Sequence, residues 1–464
     1  MDINITLVIL AVYLAAVFFI AWFFSRNQSL EAYFVNKRKT SVWLMTFSTV
    51  ATIVGAGSTV AVIAEVYNTG ISFGVALPIS LIIGMFILGM IAKKIKIIGD
   101  EYGAHTIVDF FEKRFDRKNR NLTGILQLFI LVTLIGVQAI AVSSLASVLV
   151  GIDYKTAVFL TAAVTILYTS IGGLRVDIIA DFVQFWVIML VFFVISVIGY
   201  QHVGSFSELI SGLPPGHLDL FAFGGATWFV GVLLVSGFLH LGNTIHWQRI
   251  FAAESDVVAR KSFFLAMPIT AILSLIILFL GLVSAVSLPQ IPKENALFFL
   301  MYEILPPWAV GIGFAAVLAV IMSTIDSMLI GGSTIIYKAV FKNKELEEKK
   351  SVFYARIFTA LFGIFGFTLA YLIPNIVTLF LFVSYLALVF VPPIYAGLYS
   401  QKTSANASFY SILASTVVLF ALFPFSKETV FIISTLLGVA IVILYDRVFT
   451  NSRKKNMEGT GSPV

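Results

Sequence analysis

Residues 42–68 read VWLMTFSTVATIVGAGSTVAVIAEVYN. The stretch is apolar and long enough to cross a bilayer, which takes about 20 residues of helix. Its middle holds Ser48, Thr49, Thr52, Gly55, Gly57, Ser58 and Thr59. Two glycines beside hydroxyl residues weaken a helix and let its backbone open. Small residues also serve close packing between membrane helices. Residues 232–251, VLLVSGFLHLGNTIHWQRIF, have the same character, with Gly237, Gly242 and Asn243 inside an apolar run.

The rest of the chain is a membrane protein around these two stretches. It has 464 residues, 59% of them hydrophobic and 12% charged. A soluble domain carries about a quarter charged. The absence of cysteine excludes disulfides, thiolate nucleophiles and Cys-ligated metals. The net charge of +6 does not point to nucleic acid, because the basic residues sit in short loops between apolar runs. Thirteen such runs begin near Ile5, Val42, Ser72, Leu122, Thr156, Ile178, Thr227, Ser262, Trp308, Val352, Ile376, Ala407 and Val430. Long unbroken runs argue against transmembrane strands. The first has no preceding basic residue and no small-residue cleavage site, and reads as a permanent span. With the amino terminus outside, 27 of the 30 Lys and Arg fall inside, from Arg26 to Lys455, leaving Lys155, Lys293 and Lys427 outside. This asymmetry predicts a multi-pass cell-membrane protein with its carboxyl terminus in the cytoplasm.

The two interrupted runs are the second and the seventh. Their spacing predicts an all-α membrane fold with a five-plus-five inverted repeat, runs 2–6 and 7–11. In such folds the breaks mark a binding site near the midplane. The division is then 1–40 for the first helix and inner loop, 41–200 and 226–400 for the repeats, 405–449 for two flanking helices and 450–464 for a cytoplasmic tail.

Three carboxylates fall inside runs: Glu65, Asp181 and Asp326. Each is costly in hydrocarbon, about 2.5–3.5 kcal/mol for Asp on insertion scales, and should face protein or water. Glu65 lies near the outer end of its run and reads as interfacial, without a role. Asp181 has Gln184 one turn on, and reads as a functional carboxylate or an inner-end cap. Asp326 is near Ser323, Thr324 and Ser327, with Ser323, Asp326 and Ser327 able to share a helix face. Hard oxygens at one depth suit a small hard cation such as sodium. A protonated carboxyl relay is the other reading. The hydroxyls could also bond back to their own helix. Gly57 and Ser58 at the first break, with Gln138, Asn243, His246, Ser384 and Tyr385 inside other runs, could line a pocket for a small-molecule solute.

Other chemistry lacks its motifs. His240 and His246 are six residues apart, on different faces of a regular helix, and no HExxH pattern accompanies them. No P-loop, dinucleotide fingerprint or G-x-S-x-G elbow is present. The phrase SIGGLR reads as a tight inner turn between runs 5 and 6. The inner loop Lys93–Arg120 should carry a short surface helix. The outer segment Gln201–Gly225 could cover the outer mouth.

With SLEAYFVNKRKTSVWL, YTSIGGLRVDIIADFVQ, NTIHWQRIFAAES and MSTIDSMLIGGSTIIYK in order, the chain resembles the sodium/solute symporter family. The resemblance implies a LeuT-type fold of thirteen helices. It also implies a sodium site from the backbone of Ala51, Val54 and Val320 and the hydroxyls of Ser323 and Thr324. Some members bind a second sodium, for which Asp181, Asp326 and Ser327 fall on the ligand positions. The proline-transporting members carry a carboxylate where this chain has Ile53, a Trp where it has Gly57 and an aromatic where it has Gln138. Their solute pocket is therefore not reproduced.

The expected function is sodium-coupled symport of a small polar solute, an amino acid or organic acid, into the cell. A proton-coupled symporter using Asp181 or Asp326 is the first alternative. A membrane solute sensor is the alternative of another class, and the short tail after Asp446 argues against it. No nucleophile–base pair or metal set supports an enzyme. The sequence leaves the oligomeric state open.

Overall fold

The structure is a computed structural model that describes residues 3–26, 28–341, 346–372, 376–427 and 429–458; the end of the expected tail, 459–464, lies outside them. Almost every described residue is helical. Among them, ten helices are long and apolar enough to cross a membrane, eleven when the bent pair of the second run is one span.

The second run breaks where its sequence is weakest. Helix Val42–Ile53 stops, a 3-10 turn spans Ala56–Ser58, and helix Val60–Thr69 resumes. The two halves are bent by 71°. Hydroxyls satisfy the carbonyls that this frees: Ser58 Oγ donates to Ile53 O at 2.7 Å and Thr59 Oγ1 to Gly55 O at 2.8 Å. Such local bonds compete with helix, which is why Ser and Thr favour a break here.

The seventh run is in three pieces: helix Gly225–Val235, a 3-10 stretch Ser236–Gly242 and helix Thr244–Ala252. Asn243 is extended, and its side chain caps Ile245 N. The fifth and sixth runs share the 50-residue helix Tyr154–Val203. At 1.5 Å per residue that is about 75 Å, far beyond a bilayer core of about 30 Å. Helical geometry fails inside it at Gly173, with φ 63° and ψ −179°.

Helix Val310–Val340 is the central element, with 89% of its most apolar window buried, whereas Ile5–Phe24 is 11% buried on the rim. It packs chiefly on Tyr154–Val203 and Arg117–Val150, while Asp256–Ser287 packs on Ile71–Tyr102 and on the broken second run. The loop Lys93–Arg120 does hold a short helix, Ile107–Arg114, opened by a Thr106–Asp109 capping box. Beside it His105, at 2.6 Å, and then Arg38 hold the Glu31 carboxyl down to about 2. The segment 201–225 docks on the second and third runs: His217 Nε2 meets Tyr67 O at 3.0 Å, Ile71 N donates to His217 O at 2.8 Å and Phe223 N to Ser72 Oγ at 3.2 Å.

Candidate functional site

The two breaks face one cavity, with about 90 Å³ of space open to water. All seven residues expected in a solute pocket line it: Gly57, Ser58, Gln138, Asn243, His246, Ser384 and Tyr385. Trp228, His240 and Ser80 also line it. The described lining holds no Asp, Glu, Lys or Arg. Trp228 Nε1, His240 Nε2 and His246 Nδ1 are buried and have no hydrogen-bond partner among the described residues.

Two glutamines of helix Arg117–Val150 hold the breaks open. Gln138 Oε1 accepts from Ala56 N at 2.8 Å, at the first break. Gln127 Oε1 accepts from Thr244 N at 3.1 Å, and its Nε2 donates to Gly242 O at 2.6 Å, at the second. Each supplies what a helix end lacks. Gln127 was not expected to matter; its place about three turns before Gln138 on one helix face was the available signal.

The histidines differ from the sequence expectation. Because the break distorts the helix between them, His240 Nδ1 and His246 Nε2 meet at 3.2 Å rather than lying on separate faces. Glu65 differs too. It is 1% exposed, and Lys293, in the turn after helix Asp256–Ser287, pairs with it at 2.5 Å, so an ion pair rather than the interface holds it.

Below the first break, helix Val310–Val340 meets the end of helix Val42–Ile53. Ser323 Oγ donates to Ala51 O and to Val320 O, both at 3.0 Å. Thr324 Oγ1 donates to Thr52 O at 3.1 Å and to Val320 O at 3.2 Å. Val54 is the residue at which the helix ends, with φ −85° and ψ 64°. The structure thus gathers Ala51, Val320, Ser323 and Thr324 in direct contact, beside Val54.

Asp181, Asp326 and Ser327 divide. Asp326 turns to Thr169, whose Oγ1 donates to it at 2.5 Å. Ser327 and Asp181 instead join a buried cluster built on Arg249, which is 1% exposed. Arg249 Nη2 donates to Asp181 Oδ2 at 2.9 Å, Asp177 Oδ2 at 3.2 Å and Ser327 Oγ at 2.7 Å, and also to Thr52 Oγ1. Its Nε donates to Ser48 Oγ at 3.2 Å, and Ser48 Oγ donates to Asp181 at 2.6 Å. Asp177 Oδ1, Asp181 Oδ1 and Asp326 Oδ2 accept from no described protein group.

Asp177 and Arg249 were both missed. The sequence reading left Asp177 outside the sixth run, which it began near Ile178, and counted Arg249 only among the 27 basic residues on the inner side. Two signals pointed inward: Asp177 precedes Asp181 by one helical turn, on the same face, and Arg249 is flanked by Ile245, Ile250 and Phe251.

A cavity between two interrupted helices, mainly apolar in its lining with a few polar groups turned into it, deep in an apolar bundle, is the architecture of a multi-pass membrane transporter. The chain belongs to the Sodium:solute symporter family, whose model matches residues 33–415. It is a transporter and not an enzyme, and sodium is its co-transported ion. The chain is 29% identical to the sodium/pantothenate symporter of Haemophilus influenzae over 75% of its own length and 76% of that protein's. It is 26% identical to the sodium/pantothenate symporter of Escherichia coli K12, over 88% of each. Its fold matches that of a Na+-coupled sialic acid symporter in a substrate-bound outward-open state, with a TM-score of 0.83 at 16% identity, covering 96% of this chain and 98% of that one.

Proposed function

We propose that this chain carries a small polar organic solute, an amino acid or organic acid, into the cell with sodium by alternating access. The observation that carries the reading is the single cavity between the two helix breaks, lined by all seven expected residues. Its lining offers Trp228, Asn243 and Gln138 N–H groups and, among the described residues, no carboxylate, an environment that suits an acceptor-rich group such as a solute carboxylate. The similarity to two sodium/pantothenate symporters supports an organic acid.

Sodium binds at Ala51, Val54, Val320, Ser323 and Thr324. The Ser323 and Thr324 hydroxyls now donate to backbone carbonyls. A hydroxyl rotates freely and keeps two lone pairs, so a cation between the same oxygens replaces the shared protons. The ion ties the second run to the ninth and completes the solute pocket. Rocking of the helices then opens the inner side and weakens the ion site. Thirteen spans follow when the 50-residue helix counts as two at Gly173 and the seventh run as one broken span. The repeats are then 41–200 and 226–400, with the amino terminus outside.

Thermal stability across a sodium titration at constant ionic strength, with potassium as replacement, tests the ion site. Stabilisation reaches about 2.7 kcal/mol when sodium is a hundredfold above its dissociation constant. Ser323→Ala should abolish it. A pH-dependent shift lost in Asp326→Asn, with no sodium response, would favour proton coupling instead.

A further inference from the structure

A second concavity lies at the surface of the bundle, apart from the solute cavity. Helices Gly225–Val235 and Val430–Glu458 touch where a Cβ on Gly231 would come within 2.9 Å of the Phe431 and Ile432 side chains. Beyond that contact they part and leave a groove of about 1070 Å³, with helix Val391–Tyr399 as its third wall. The chemistry changes along its length. Leu234, Val235 and Phe238 face Val439, Val442 and Ile443 across an apolar trough. Lys402 and Arg447, both exposed, line the far end. Asp446 is the one carboxylate in the described lining, and its Oδ2 is occupied by Ser404 N at 2.9 Å. Lys402 N donates to Ser400 Oγ at 3.3 Å, so the turn that carries the lysine is pinned.

These features match one kind of molecule. From Thr435 to Arg447 the last helix rises about 18 Å at 1.5 Å per residue. One leaflet of a bilayer core is about 15 Å deep. An apolar trough of that length, ending in an arginine fork and a lysine charge, fits an acyl chain joined to a phosphate. Basic pockets between membrane helices take anionic headgroups in this way. A zwitterionic lipid brings its own cation to the same end and gains less. The groove also backs onto the second break. In the 3-10 stretch Ser236–Gly242, Phe238 lines the groove while Leu239 and His240 line the solute cavity. Phe238 meets the Tyr395 ring edge-on at 6.1 Å. A 3-10 stretch has poorer hydrogen bonds than an α-helix, so what fills the groove bears on the break.

We infer that this groove binds an anionic phospholipid of the bilayer. Its phosphate sits against Lys402 and Arg447, and an acyl chain fills the trough. The chain braces the broken stretch of the seventh run from the side opposite the solute. With the orientation proposed above the lipid belongs to the cytoplasmic leaflet, but its binding depends neither on that orientation nor on sodium coupling.

Native mass spectrometry of the purified full-length protein in neutral detergent tests the site, with phosphatidylglycerol and phosphatidylcholine of identical chains as probes. Wild type should bind phosphatidylglycerol about tenfold more tightly than phosphatidylcholine. Lys402→Gln with Arg447→Gln should erase that preference; both residues are exposed, so the fold is kept. Lys349→Gln with Lys350→Gln, exposed cations elsewhere, should leave it intact. Val439→Trp fills the trough and should weaken both lipids. In nanodiscs, hydrogen exchange over 236–242 should be slower with phosphatidylglycerol than with phosphatidylcholine, and the Lys402/Arg447 double variant should lose the difference. Equal affinity for the two lipids, a preference that survives the loss of Lys402 and Arg447 or one lost equally with Lys349 and Lys350 would overturn the site. Exchange over 236–242 that ignores the lipid would overturn the bracing. None of these outcomes touches the sodium reading, which stands or falls on the Ser323→Ala titration.

Discussion

A Cβ placed on Gly57 would meet the Phe380 ring at 2.5 Å, so the residue at the first break is small because a ring lies against it. Both line the cavity. Adding a methyl to a filled site typically costs about 1–3 kcal/mol. Gly57→Ala should therefore reduce solute uptake by proteoliposomes several-fold. Phe380→Leu, which removes the ring, should recover most of the loss in the double variant, because contacting residues do not act additively. Equal losses in the single and double variants would show that Phe380 does not restrict this wall. Burial also decides what Arg249 and its carboxylates cost. Removing one partner of a buried ion pair typically costs about 3–5 kcal/mol, since the other charge is left without compensation. The sequence made Asp181 legible as a costly carboxylate, but not its partner, because an arginine at the end of an apolar run looks like a loop cation until the neighbouring helices are in place.

At the scale of elements, a glycine and its caps divide the longest helix. Gly173 has φ 63°, and an added Cβ would lie 2.5 Å from the Tyr33 ring and 3.0 Å from its Cα. The three carbonyls before it are each taken: Ser170 O by Tyr33 OH at 3.2 Å, Ile171 O by Arg356 at 3.2 Å and Gly172 O by Gln28 at 2.9 Å. Residues from the loop after the first run and from the tenth run thus satisfy the end of the fifth. Gly173→Ala places a side chain in a conformation reserved for glycine, which costs about 1–3 kcal/mol before the clash is counted. Its melting temperature should fall measurably, while Gly103→Ala, also at positive φ but with nothing within 4 Å of its Cβ, should fall less. Equal shifts would mean that the backbone, not the Tyr33 contact, sets the cost. The breaks themselves were readable from Gly55, Gly57, Gly242 and Asn243, because weak helix formers act locally. Their caps were not, because Gln127 and Gln138 belong to another helix.

For the whole molecule, orientation follows from charge. A chain without cysteine allows a direct test, with one cysteine introduced at a time. Lys427→Cys, at an exposed site, should react with a membrane-impermeant maleimide added to intact cells. Lys402→Cys, also exposed, should react only after permeabilisation. The opposite pattern would invert the topology and the proposed direction of transport. Hydropathy, loop charge, glycine placement and ordered motifs are properties of neighbouring residues, so the sequence alone determined a multi-pass membrane protein, its interrupted runs and its family resemblance. Partners across helices depend on how those helices cross. Only the tertiary structure could move Arg249 from the loops into the Asp177–Asp181 cage, pair Glu65 with Lys293 and bring His240 onto His246. In an apolar interior a buried polar group left without a partner is costly, and packing decides which partner is within reach.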